Sequence, residues 1–164
     1  MKTIQRRRFV ASGALLLLTP LAQAHTGTPH AARKVRPAEQ KDWGIAGTPV
    51  RATRSVQVRM GDDMRFTPAQ MQFKRGETVR FVVHNSGRVL HEFVIGTEAE
   101  NAHHAQMMIK FPNMEHDEPW MAHVEPGRSS EITWTFNRAG RFEFACLIAG
   151  HYQAGMRGRI DVVA

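Results

Sequence analysis

Near the C-terminus the chain reads Cys146-Leu147-Ile148-Ala149-Gly150-His151-Tyr152-Gln153-Ala154-Gly155-Met156. A thiol, an imidazole and a thioether fall within eleven residues. Thiolate and thioether favour Cu(I), and imidazole accepts either oxidation state. Joined by a second imidazole, they make the donor set of a mononuclear blue-copper site. Gly150 and Gly155 each precede a donor and let the chain turn sharply. The second imidazole must come from elsewhere. His91, in Leu90-His91-Glu92-Phe93-Val94, follows the turn Asn85-Ser86-Gly87 at the start of an extended run and is the candidate. His84 competes with it, but alternation sets it opposite Val83 and nothing else marks it.

Other chemistries fit less well. A binuclear copper site needs a second cysteine, and Cys146 is the only one. Structural zinc takes Cys/His sets without methionine. A nucleophilic thiol wants a basic partner and an oxyanion hole, and no substrate-pocket motif accompanies Cys146. The chain therefore reads as a metal protein, not an enzyme. Nitrite reduction would need a second type of copper and a second domain.

A second group of soft and nitrogen donors lies between Asn101 and His123: His103, His104, Met107, Met108, Met114, His116, Met121 and His123. Met114-x-His116 and Met121-x-His123 repeat one pair seven residues apart. On a helix, His103 and Met107 share a face, as do His104 and Met108. These eight are candidate accessory copper ligands, with methionines packing the segment onto the core as the plainer role. Glu115, Asp117 and Glu118 add local negative charge or form a solvated face. The amine and imidazole of His25, with His30 nearby, are a further Cu(II) chelate to set against a plain mobile terminus.

The elements that must hold these donors are short and extended. Ser55–Met60 alternates, Gly61-Asp62-Asp63 turns, and Met64–Phe73 is extended but broken by Pro68. Thr78–His84 puts Val79, Phe81 and Val83 on one face. Leu90–Ile95, Glu131–Phe136, Arg141–Cys146 and Arg159–Val163 complete the set. Strands of this length with turn residues between them predict an all-β, antiparallel Greek-key sandwich. Thr97–Ile109 breaks the pattern with helix formers, and Pro112, Pro119 and Pro126 then enforce irregular structure. A short helix and a Met/His-rich loop are thus inserted before the last strands.

Three segments carry a family resemblance. They are Gly76-Glu77-Thr78-Val79-Arg80-Phe81, Leu90-His91-Glu92-Phe93-Val94-Ile95-Gly96, and Gly140-Arg141-Phe142-Glu143-Phe144-Ala145-Cys146 with His151 and Met156. Over about Arg54 to Val163 they resemble the cupredoxins, the relatives of plastocyanin and azurin. The resemblance is strongest to exported cupredoxins of copper-tolerance systems, the CopI-like group, which also carry a Met/His-rich insertion. It implies a cupredoxin-like sandwich with copper held by His91, Cys146, His151 and Met156. The spacing C-x4-H-x4-M has a longer Cys-to-His gap than plastocyanins and a longer His-to-Met gap than azurins.

Length, charge and leader set the context. The 164 residues, 42% apolar and 23% charged, fit one globular domain. Met1–Ala24 reads as a signal peptide: Arg6–Arg8, an apolar Ala11–Leu21, and Ala22-Gln23-Ala24 as a cleavage site. Gln5-Arg6-Arg7-Arg8-Phe9-Val10 also resembles a twin-arginine signal, a route for proteins exported already folded. The apolar run is shorter than the roughly 20 residues needed to span a bilayer. Without residues 1–24 the net charge falls from +7 to +3, because four of the 22 cations leave and all 15 acids stay. A nucleic-acid partner is therefore not expected. Residues 25–50, rich in Pro, Gly and charge, read as a mobile tail, and 51–164 as the domain.

The expected function is a periplasmic type 1 copper protein that cycles Cu(I)/Cu(II) for one-electron transfer, linked to copper tolerance. A redox partner protein would dock on the apolar surround of His151. The alternative is copper sequestration or delivery through the Met/His-rich insertion, with a copper donor or acceptor as partner.

Overall fold

The computed structural model describes residues 38–164 except Asn113 and Glu115. The expected signal peptide, and His25 and His30, lie outside the described residues. The elements in chain order are β1 (Gln40–Lys41), β2 (Gly44–Ala46), a 3-10 turn (Pro49–Arg51), β3 (Arg54–Gly61), β4 (Arg65–Thr67), β5 (Gln70–Lys74) and β6 (Glu77–Asn85). They continue with β7 (His91–Gly96), α1 (Glu98–Lys110), β8 (Met121–Val124), β9 (Ser129–Phe136), β10 (Gly140–Ala145) and β11 (Arg157–Val163). One sheet runs β1-β2-β9-β6-β3-β4 and the other β5-β11-β10-β7-β8. The sandwich expected from alternation is present. Two pairings, β3 with β6 and β5 with β11, are parallel, so both sheets are mixed rather than antiparallel throughout. Among the described residues no helix is long and apolar enough to cross a membrane.

Alternation explains the core. Val79, Phe81 and Val83 of β6 are buried, as are Ile132, Trp134 and Phe136 of β9. The register sets Val79 opposite Trp134 and Phe81 opposite Ile132, so one apolar face is shared across the pair. Phe142 and Phe144 of β10 and Ile160 and Val162 of β11 face them from the second sheet.

Strand β7 departs from alternation, since all six of its residues are buried. Its inner face, with Phe93 and Ile95, joins the main core. Its outer face is covered by the insertion, where Val94 packs with Ala105 and Met108 of α1, Met121, Ala145 and Leu147. A strand covered on both sides loses the polar half of its pattern. The helix itself begins where Thr97 accepts a hydrogen bond from the Glu100 N–H at 3.2 Å, with Glu98 and Glu100 in the first turn and Lys110 in the last.

Two strands fall within the stretch 25–50 expected as a tail. Gln40–Lys41 and Gly44–Ala46 pair with each other, and Ile45 and Ala46 pair with β9. The cause is Trp43: its ring is buried edge-on against Trp120 at 5.8 Å, and its carbonyl accepts from the Trp134 indole N–H at 2.9 Å. This large aromatic ring anchors the segment, and Ala46 packs against the same core.

Candidate metal centre

Cys146 follows β10, and His151 and Met156 lie on the connection to β11. That connection is two tight turns: the His151 N–H donates to the Ile148 carbonyl at 2.9 Å, and the Gly155 N–H to Tyr152 at 2.9 Å. Gly150 and Gly155 take φ of +90° and +89°, the left-handed region that side chains disfavour. Met156 is tied to both donors through the backbone. The Cys146 N–H donates to its carbonyl at 3.0 Å, and its own N–H donates to the carbonyl of His151 at 3.0 Å. Its side chain is buried in the same cluster as Cys146.

His91 arrives from the other side, at the head of β7. The loop before it is pinned by Asn85, whose Nδ2 donates to the carbonyls of Val89 and Val124, both at 2.8 Å. The Asn85 Oδ1 accepts from the Gly87 N–H at 2.8 Å. One donor atom each from His91, Cys146 and His151 lie within 4.8 Å of one another. The Cys146 Sγ is 3.3 Å from His151 Nδ1, and the two rings are 5.1 Å apart at their centroids. Two imidazoles on one ion, with metal–nitrogen bonds of about 2.0 Å, stand about 4.5–5.2 Å apart by centroid. The separation fits.

The electrostatics fit as well. Both ring nitrogens of His91 are buried without a hydrogen-bond partner. Its Nε2 is 3.5 Å from Asp62 Oδ1, too far for a formed bond. Such orphaned atoms are costly unless something else satisfies them. Burial pushes His91 and His151 below the ordinary histidine range, so both rings are neutral and keep lone pairs for a cation. Burial also pushes the Cys146 thiol up to about 12. Without a cation the sulfur keeps its proton, and a metal ion supplies the charge that releases it. The Glu92 N–H donates to Sγ at 3.2 Å. These residues suit a soft thiolate–imidazole ion, and copper fits the donor types.

His84 lies elsewhere, exposed and bonded to Ser129 at 3.0 Å. Of the insertion donors, His103 is exposed, Met107 half-buried, and Met114 exposed. Met108 and Met121 are buried in the apolar cluster under α1. His104, His116 and His123 come together: centroids are 4.5 Å apart for the first pair and 5.8 Å for the second. Burial, then the neighbouring His116, holds His104 below its ordinary range, whereas the Glu92 carboxylate, 2.5 Å from Nε2, raises His123.

Three residues escaped the sequence reading. Asn85 looks like an ordinary turn residue. Asp62 also sits in a turn, yet its carboxylate accepts from the Arg88 N–H at 2.9 Å and steadies the loop into β7. Glu92 is the one with a signal, an acid inside a run of apolar strand residues. It is 1% exposed, and its Oε2 accepts from the Leu147 N–H at 3.2 Å, beside Cys146.

A family model described as copper binding proteins, plastocyanin/azurin family, matches residues 52–163. A protein of Rubrivivax gelatinosus called copper-resistant cuproprotein CopI is 45% identical over 161 residues, covering 97% of each chain. The protein of the same name in Pseudomonas aeruginosa is 38% identical, covering 80% of this chain and 88% of its own length. Among solved structures, auracyanin B superposes with a TM-score of 0.60 at 20% identity, over 76% of this chain and 97% of that one. An azurin of Methylomonas sp. strain J gives 0.55 at 16% identity, over 69% and 100%. At those identities the two structures bear on the fold alone.

Proposed function

Because this chain belongs to the plastocyanin/azurin family of copper-binding proteins and is related to the CopI cuproproteins, we propose that it is an exported type 1 copper protein. In this reading it transfers single electrons in the service of copper tolerance. His91, Cys146 and His151 would hold the ion, with the Met156 thioether as a further donor. The observation that carries the reading is the convergence of one thiol and two neutral imidazoles within 4.8 Å from separate parts of the fold.

Copper supplies the one-electron couple Cu(I)/Cu(II). The protein supplies a fixed frame. The β10–β11 pairing on one side and the Asn85-pinned loop on the other keep the donors in place, so a change of charge finds little to move. The Glu92 N–H to Cys146 Sγ bond stabilises negative charge on sulfur and so tunes the centre. Half-buried His151, with half-buried Ile148 on the same loop and exposed Leu90 next to His91 in the chain, marks the face where a redox partner would dock. Export follows from the leader in residues 1–24, consistent with a lone cysteine reserved for metal.

The test is optical. One equivalent of Cu(II) should give intense thiolate-to-copper absorption near about 600 nm. Cys146→Ser should abolish it, and His91→Ala should weaken or shift it. A wild-type protein that binds Cu(II) without this band overturns the reading.

The second reading, copper sequestration or delivery, draws on the three imidazoles gathered under the insertion. Copper tolerance that survives Cys146→Ser in cells but fails when insertion histidines are replaced would favour it over electron transfer.

A further inference from the structure

Strand β7 carries donors on both faces. His91 points into the sandwich with Phe93 and Ile95, toward Cys146. Glu92 and Val94 point outward, beneath the insertion. The register sets Glu92 directly opposite His123 on β8, and their side chains meet at 2.5 Å. Behind His123 stand His116, on the loop after α1, and then His104, on α1 itself.

We propose that His104, His116 and His123, with His123 held by Glu92, form a second metal site that takes Cu(II) through nitrogen, back to back with the first across one strand. The proposal deepens the sequestration reading and rests on it for the choice of ion. The Met114 carbonyl, 3.2 Å from His116 Nδ1, can only accept, so Nδ1 carries the proton and Nε2 keeps its lone pair. That Nε2 is buried and has no hydrogen-bond partner. Glu92 takes Nε2 of His123, which leaves its Nδ1 for an ion. A carboxylate that orients a histidine in this way is the usual outer partner of a metal-bound imidazole. The 4.5 Å between His104 and His116 matches two imidazoles at right angles on one ion, about 4.5 Å by the same bond lengths. The 5.8 Å to His123 is wider than that, so His123 would have to move inward for all three rings to share one ion.

The donor set differs from that of the first centre. It has no thiolate, and three nitrogens beside a carboxylate suit Cu(II) rather than Cu(I). Met108 and Met114 border the same depression, but the nitrogens define the site.

The experiment starts from protein whose 600 nm band is already saturated. A further equivalent of Cu(II) should bind without adding to that band. It should give an EPR signal with wide copper hyperfine splitting and resolved coupling to nitrogen. His116→Ala and His123→Ala should each weaken this second binding at least about tenfold, since losing a ligand costs no less than losing an outer partner. The retained band shows that these variants are folded. His103→Ala, on the exposed side of α1, should change nothing. Cys146→Ser should lose the band yet keep the second ion, so the two sites fail separately. A second Cu(II) that persists at unchanged affinity in both His116→Ala and His123→Ala overturns the proposal, and so does the absence of any second equivalent.

Discussion

Asn85 spends its whole amide on the loop that delivers His91: two donated bonds to carbonyls and one accepted from an N–H. Asn85→Ala would strand one buried and two part-buried groups. At about 1 kcal/mol for each lost bond, and more where a group stays dry, the cost is about 2–4 kcal/mol, read from urea denaturation of the metal-free protein. Glu143 makes the opposite case. Burial, more than any other influence, lifts its carboxyl above its ordinary 4.5, against the pull of Asn101 Nδ2 at 3.1 Å. A carboxyl raised in the folded state favours folding below pH 4.5, and that contribution is lost as pH climbs through the raised value. Glu143→Gln keeps an acceptor for Asn101 and removes the charge. It should be more stable than wild type at neutral pH, with the advantage shrinking on acidification toward 4.5. Equal stability at both ends would refute the assignment. At this scale the convergence of His91, Cys146 and His151 was legible in the sequence, because Cys and His at such spacing have few other reasons to gather. The sequence hid their supports, because Asn85 resembles any turn residue and the reach of Asp62 to Arg88 crosses 26 positions.

Elements became legible where pattern and packing agreed. Strands β3, β6, β7, β9, β10 and β11 fall close to the extended runs read from the sequence, and α1 (Glu98–Lys110) falls close to the helix-forming run Thr97–Ile109. Strand β8 was missed because its four residues sit among prolines and charges. The parallel pairings were missed because alternation tells which face is buried, not which neighbour lies alongside or in what direction. Gly158 shows what an element can demand of one position. It lies opposite Phe144 across β10 and β11, and a Cβ there would come 2.1 Å from the Phe144 ring and 2.6 Å from the Ala69 carbonyl. The backbone carbonyl cannot give way cheaply, and the ring is packed edge-on against Phe66 at 5.1 Å. Gly158→Ala should therefore cost about 1–3 kcal/mol, the usual penalty for overpacking. A thermal melt unchanged from wild type would show that the β10–β11 pair yields more easily than this packing implies.

For the molecule as a whole, the question is whether the ion makes the fold or the fold makes the centre. Small metal domains fold only when loaded, because they lack enough core to fold alone. Here the core runs through both sheets, with Phe73, Phe81, Phe93, Phe136, Phe144 and Trp134 fully buried. None of these residues is a metal donor. The donors are likewise already close, with the two rings of the first centre 5.1 Å apart before any ion is considered. The fold class was readable from sequence for the same reason: apolar alternation across many strands specifies it, and the ion adds nothing to that pattern. Protein stripped with a chelator should then keep its near-UV circular dichroism and unfold in one cooperative step. An ion that binds only the native state should raise stability by mass action, about 4 kcal/mol at a thousandfold excess over Kd. Cys146→Ser should lose most of that gain while melting cooperatively on its own. Collapse of the near-UV signal on chelation would mean that the ion builds the sandwich, and a rigid, preformed electron-transfer centre would have to be abandoned.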